Sequence, residues 1–252
     1  MIRGSLLIMA CCGVGRAGLA DPSPVISSGL PPQIVPSAPE VGVTILQMPG
    51  SGNGSGVSTD GTGTTSGGGK STGSGSAYAA LMATEFGDAA ITDAQQAGVN
   101  IDAVADIGQA ESGFQNIPTA NGSSSATGPW QITTGTFNEI NAKYGLGYST
   151  SDINNPTAQA AVASYIIKDY ASDVSNIMGQ PATVLQTYGA YVFGPKYGAQ
   201  IATAPSSDPL SNYIPARSLA NNNMQNWTVG QFQSTMTSRL GSTANATVLT
   251  SA

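Results

Sequence analysis

The tract from about Ser51 to Ser76 is built of Gly, Ser and Thr with almost no apolar periodicity, and Pro-rich pieces such as LPPQIVPSAPE precede it. Such a composition cannot bury enough surface to offset its ordering entropy, so the core of this 252-residue chain must come from the residues beyond Ser76. Residues 21–76 read as a flexible Gly/Ser spacer, with a tethering role as the alternative. Gly67, Gly68, Gly69, Lys70 and Ser71 superficially match a phosphate loop. Thr64 stands where its first Gly belongs, and no strand precedes it or helix follows it, which argues against nucleotide binding.

The first 20 residues carry Arg3, an apolar run from Leu6 to Val14, and the small-residue site Gly18, Leu19, Ala20 before Asp21. This is the pattern of a secretory signal peptide, and the apolar run falls short of the roughly 20 residues a membrane span needs. Export to a periplasmic or extracellular location, without stable membrane insertion, is the expectation. Ile8, Met9, Ala10 and Cys11 loosely match a lipoprotein cleavage box, which makes lipid anchoring through Cys11 a secondary reading.

Composition then removes several kinds of chemistry. The chain has no His, and both cysteines, Cys11 and Cys12, lie in the signal segment. A processed chain has no thiol, no disulfide, no zinc site of the usual kind and no Ser-His or Cys-His pair, so no cofactor or metal is expected and catalysis falls to carboxylates. The formal charge of −6 becomes about −8 when Arg3 and Arg16 leave. With no basic patch, nucleic acid and anionic membrane surfaces are poor partners, and a neutral or sugar-like ligand fits better.

From Ala77 the pattern turns helical. Ile101, Val104, Ala105, Gly108 and Glu111 fall on one face of a helix capped by Asn100 or Asp102. A second helix runs from Thr133 or Thr134 to Lys143, burying Phe137 and Ile140, with Gly145 closing it. Asn155 as N-cap and Pro156 in the first turn start a long amphipathic helix whose stripe includes Ala158, Ala161, Val162, Tyr165, Ile166, Asp169, Val174 and Ile177, ending at Gly179. Pro181 is expected to open a fourth helix through Val184, Leu185, Tyr188 and Tyr191. A short helix follows Gly194 and Pro195 to about Ala204, and Thr228 caps a last one through Val229, Phe232, Met236 and Leu240. Few runs alternate with period two, so residues 77–252 form one mainly α domain with about 170 residues, enough for a single sizeable core.

Within that domain, ADIGQAESGFQNIPTANGSSSATGPWQITTGTF places Glu111 at the end of an apolar helical run and follows it with a loop ending in Gly-Pro-Trp-Gln-Ile. Burial disfavours a charged carboxyl, which can lift its pKa toward roughly 6 to 7 and let it donate a proton at neutral pH. The bland reading, a helix-terminal surface charge, is the default for an isolated Glu. Glu139 and Asp106 read as solvated or capping charges. Trp130 fits a core position or an aromatic platform for a sugar equally well.

These residues carry a resemblance. The chain, from about Ala77 to Leu240, resembles the soluble lytic transglycosylases (SLT-type), murein-cleaving relatives of goose-type lysozyme with a lysozyme-like α-helical fold. Glu111 and Ser112 in AESGF match the family's Glu-Ser motif, Gly128, Gln131 and Ile132 in GPWQI match its Gly-x-x-Gln-Ile, and Ala190, Tyr191, Gly194 and Pro195 match its Ala-Tyr-Asn-x-Gly. Val192 stands where the common form has Asn, and Pro129 with Trp130 replaces the more usual Leu-Met pair. The tail SNYIPARSLANNNMQNWTVGQF suggests a branch with its own C-terminal cap.

The resemblance implies a reaction that needs one carboxylic acid. Glu111 would protonate the oxygen between N-acetylmuramic acid and N-acetylglucosamine, then as carboxylate deprotonate the muramyl 6-hydroxyl, closing a 1,6-anhydro ring. It assigns substrate contacts to Ser112, Gly128, Trp130, Gln131, Ile132 and Tyr191, the last beside Glu111 with a hydroxyl that orients the acid or stabilises positive charge at the sugar. A peptidoglycan glycan strand is the implied partner of a monomer, with recruitment to a secretion or envelope complex as a further possibility. The rivals are a hydrolytic lysozyme or chitinase on the same fold, a murein-binding accessory module of a secretion or pilus system, and a secreted structural protein.

Overall fold

A computed structural model describes residues 6–7, 44–45, 73–117 and 125–250. Leu6–Leu7 (β1) and Thr44–Ile45 (β2) pair antiparallel. The expected signal peptide with its Cys11 anchor, the spacer and the phosphate-loop-like run otherwise lie outside the described residues.

From Ser76 the chain is mainly helical, as expected. Its helices are α1 (Ser76–Met82), α2 (Gly87–Ala97), α3 (Ile101–Ser112), α4 (Thr134–Tyr144), α5 (Pro156–Met178), α6 (Val184–Phe193), α7 (Pro195–Thr203), α8 (Ala216–Asn221) and α9 (Val229–Leu240). The boundaries follow local chemistry. Asn100 caps α3 by accepting from the Asp102 amide at 3.0 Å, and Thr133 caps α4 through the Thr136 amide. Asn155 caps α5 ahead of Pro156, whose missing N–H costs nothing in a first turn. Gly113, Gly145 and Gly179 end these three helices in the left-handed conformation that favours glycine.

Two sequence expectations need correction. Pro181 does not open α6; Thr183 does, through a reciprocal capping box in which its side chain accepts from the Gln186 amide and Gln186 accepts from its own amide. The preceding Ala182 amide is instead bound to Ser175 Oγ at 2.9 Å. Ile177 does not belong to the buried stripe of α5: it is 58 % exposed, because by the last turn the helix has run past the elements that cover it.

Helix α5 is the spine, packed against α2, α3, α4, α6 and α7, and its inner face is Ala-rich, which lets those helices approach. The α6–α7 pair is closer still. A Cβ on Gly198 would sit 2.4 Å from the Ala190 backbone nitrogen, so only glycine permits that crossing. The C-terminal residues act as a strap. Val248 is fully buried, its amide donates to the Ala182 carbonyl and its own carbonyl accepts from the Asn100 amide, so one residue joins the start of α6 to the start of α3.

Candidate functional site

Helix α3 brings Glu111 into the core rather than to the surface. The face carrying Ile101, Val104, Ala105 and Gly108 is buried against α1, α2, α5, α6 and α9, and Glu111, on the same face, is 1 % exposed. Neither carboxylate oxygen has a hydrogen-bond partner among the described residues. Removing a carboxyl from water without compensation disfavours its charged form. Burial accordingly pushes Glu111 up to about 8, against opposing pulls from Tyr188 and from the positive charge of Arg239. At neutral pH the side chain is a carboxylic acid with a proton to give.

The three sequence motifs meet at the backbone of one turn. Thr127 and Ile132 exchange backbone hydrogen bonds, closing a loop over Gly128, Pro129, Trp130 and Gln131. Two consecutive carbonyls of that loop are then taken by the other two motifs. Ser112 Oγ donates to the Pro129 carbonyl at 2.6 Å, and Tyr191 Oη donates to the Trp130 carbonyl at 2.7 Å. The position of the loop relative to Glu111 is therefore set by one hydroxyl from α3 and one from α6.

That arrangement changes the roles expected for the individual side chains. Trp130 is not a platform: it is 0 % exposed, its indole N–H donates to the Val104 carbonyl at 2.9 Å, and Phe86 and Phe114 meet it edge-on. Gly108 supplies the room, since a Cβ there would lie 2.8 Å from the indole nitrogen. Ile132 is a core residue. Gln131 is equally buried and folds back, with Nε2 donating to the Gly128 carbonyl at 2.7 Å and a backbone φ of 48°, a conformation unusual for a non-glycine residue. Gly128 has φ 74° and admits no Cβ because Gln159 fills the space. Tyr191 lies near enough for the Glu111 charge to raise its pKa, but its hydroxyl serves Trp130, not the acid. Ser112 Oγ, Gln131 Nε2 and Tyr191 Oη each donate to a carbonyl of the loop and so build it.

Sequence reasoning missed two residues. Gln159, fully buried on α5, donates to the Thr127 and Ile153 carbonyls and accepts from the Trp130 amide, so it fills the loop from below. The signal was available: a Gln amid the Ala-rich face of a core helix is rarely idle. Tyr188 is the second. It is 0 % exposed, and its hydroxyl lies close enough to favour the Glu111 carboxylate. The contact stops short of a well-formed hydrogen bond, leaving the phenol, like the acid, without a partner. Glu139 is exposed, as expected. Asp106 is not: it is buried on α3, accepts from Thr243 Oγ1 at 2.6 Å, and burial pushes it up to about 7.

Residues 88–208, which hold Glu111, the Gly128–Ile132 loop and Tyr191, match the model of the transglycosylase SLT domain. That segment is similar to SLT-type transglycosylase domains. Among solved structures the chain is similar to the X-ray structure of an inactive mutant of the lytic transglycosylase Slt from Pseudomonas aeruginosa, at 14 % identity and a TM-score of 0.42, over 66 % of this chain. It spans only 26 % of that chain's length. No curated protein matches the sequence significantly. Helices α8 and α9 and the C-terminal strap, with Arg239, lie beyond the matched residues. A cavity of about 100 Å³ between α6, α7 and α9, lined by Leu185, Gly189, Ile201 and Phe232 among others, does not reach Glu111.

Proposed function

We propose that this SLT domain is a peptidoglycan lytic transglycosylase in which Glu111 is both general acid and general base. The observation that carries the reading is one carboxyl, buried and unpaired within the SLT domain, whose environment keeps it protonated at neutral pH. Such a group protonates the glycosidic oxygen between N-acetylmuramic acid and N-acetylglucosamine as that bond breaks. The carboxylate left behind takes the proton of the muramyl 6-hydroxyl as its oxygen bonds to C1, which restores the acid and consumes no water.

The single-carboxylate route also suits the surroundings. Asp106, the other strongly shifted acid on α3, is held by Thr243 and lies five residues back along the helix. Because Glu111 is sealed from solvent in this structure, contact with a glycan requires the side chains over it to part. Export through residues 1–20 belongs to the same proposal, since the polymer lies outside the cytoplasmic membrane.

Mass spectrometry of murein digested by the purified chain is the test. Anhydro-muropeptides are expected with the wild type and none with Glu111→Gln. Products with reducing ends would instead assign the fold to hydrolysis, and intact murein would leave a binding module.

A further inference from the structure

We propose that Tyr188 is the positioning partner of Glu111, its hydroxyl holding the carboxyl in place and closing a hydrogen bond to it once the acid has released its proton. The inference rests on the reading of Glu111 as the proton shuttle and adds a residue that none of the three motifs contains.

Two deficits lie on helices packed against each other, α3 and α6. The Tyr188 hydroxyl is buried without a partner, and so are both oxygens of Glu111. Leaving one such group unsatisfied is costly, and several together mark a place where a bond is made in another state of the site. Tyr191, the motif tyrosine, cannot fill that role because its hydroxyl is committed to the Trp130 carbonyl. It serves as a wall instead: its ring lies nearly parallel to that of Tyr188, at 6.4 Å and 16°, and is itself met edge-on by Tyr170. The ring of Tyr188 is therefore flanked by that of Tyr191 on a helix that packs against α3.

Direction of donation follows from chemistry. Burial and the Glu111 charge hold the Tyr188 pKa well above the ordinary tyrosine value, so the phenol remains a donor throughout the working range. A donor stabilises carboxylate more than carboxylic acid. Tyr188 thus acts in the interval between the two proton transfers, when Glu111 is charged and buried, and keeps it aimed at the incoming hydroxyl. The influences on Glu111, in order, are burial, Tyr188 and Arg239 from α9. Of the other helices against α3, α1 carries Tyr78, α2 carries Asp88 and Asp93, and α5 carries Tyr170 with Lys168, Asp169 and Asp173 toward solvent; Asp102 and Asp106 share α3 itself.

The chain has Glu only at positions 40, 85, 111 and 139, so δ-¹³C-glutamate NMR resolves the titration of Glu111, assigned through Glu111→Gln. In the full chain, Tyr188→Phe is expected to move that midpoint upward by about one unit and to cut the rate of anhydro-product formation about tenfold, with its alkaline limb displaced the same way. Tyr191→Phe, which loses a bond to backbone, lowers the melting temperature with a smaller effect on the midpoint. If the Phe variant does not fold, 3-fluorotyrosine at 188 keeps the shape, strengthens the donor and is expected to lower the midpoint. An unmoved Glu111 titration in a folded variant overturns the pairing. A Tyr188-dependent titration in a wild type that forms no anhydro product instead overturns the transglycosylase reading and leaves the pairing standing.

Discussion

The hydroxyl of Tyr191 donates to the carbonyl of Trp130 at 2.7 Å, joining α6 to a loop 61 residues earlier in the chain. Both ends of this bond are buried, so neither can turn to water when the other is removed. Tyr191→Phe keeps the ring and deletes the donor. It is expected to cost about 1–3 kcal/mol, the penalty for an orphaned buried carbonyl, and to lower the melting temperature by several degrees. Urea unfolding compared with Tyr170→Phe, which removes a hydroxyl that has no partner, makes the check: equal losses in the two variants would deny the bond any weight.

Gly128 carries a second, steeper expectation. Its φ of 74° suits glycine, and an added Cβ would lie 2.2 Å from Nε2 of Gln159. Gln159 has nowhere to retreat, since its amide group already holds the Thr127, Ile153 and Trp130 backbones. Gly128→Ala should therefore cost about 3 kcal/mol or more, combining backbone strain with a broken buried network. Gln159→Ala relieves the clash but orphans the same groups, so the double variant should be less than additive. Additive losses in calorimetry would place the two residues in separate networks.

The helices that were legible in the sequence are those whose ends carry chemistry. Asn100, Thr133, Asn155 and Thr228 each accept from an amide of the turn they start, and α3, α4, α5 and α9 were readable within a residue or so. Helices α1, α2 and α8 begin at Gly75, Phe86 and Pro215, none of which makes a side-chain cap, and no boundary pointed to them. Their ends are set by tertiary packing. Glu111 was readable because an acid on an apolar face contradicts its surroundings. Tyr188 was not, since a tyrosine three residues before Tyr191 is what any buried helix face offers, and its significance lies only in the acid it meets across α3. Trp130 stood undecided between platform and core until Gly108, from a different helix, proved to supply the space for its ring.

The C-terminal strap gives a third prediction. Val248 and its neighbours supply backbone partners to Asn100, Ala182, Val184 and Leu185, the residues that start α3 and α6. Ending the chain at residue 242 removes those partners, the buried Val248 and the Thr243 hydroxyl that satisfies Asp106. The shortened chain is expected to lose several kcal/mol and to expose the amides at the start of α3 to hydrogen exchange first, while α4, which the strap does not touch, stays protected. Uniform loss of protection across the domain would mean that the strap stabilises no particular corner.

Glu111 has opposite consequences for stability and for chemistry. In the folded chain Glu111 titrates near 8, against an ordinary value of 4.5, so the folded state binds its proton more tightly than the unfolded state does. Stability from this group is full below about 4.5, declines as pH rises toward 8, and levels off beyond, by an amount on the order of 5 kcal/mol. Glu111→Gln keeps the neutral shape and abolishes the titration. It should match the wild type in melts near pH 4 and exceed it near pH 8.5, with a residual slope from Asp106, which is pushed up to about 7 by its own burial. The same substitution should abolish anhydro product at every pH, so the gain in stability and the loss of chemistry come from one proton. Melting curves of the two proteins that run parallel from pH 4 to 8.5 would mean that Glu111 is no more buried when folded than when unfolded, and the assignment of the acid would fall with it.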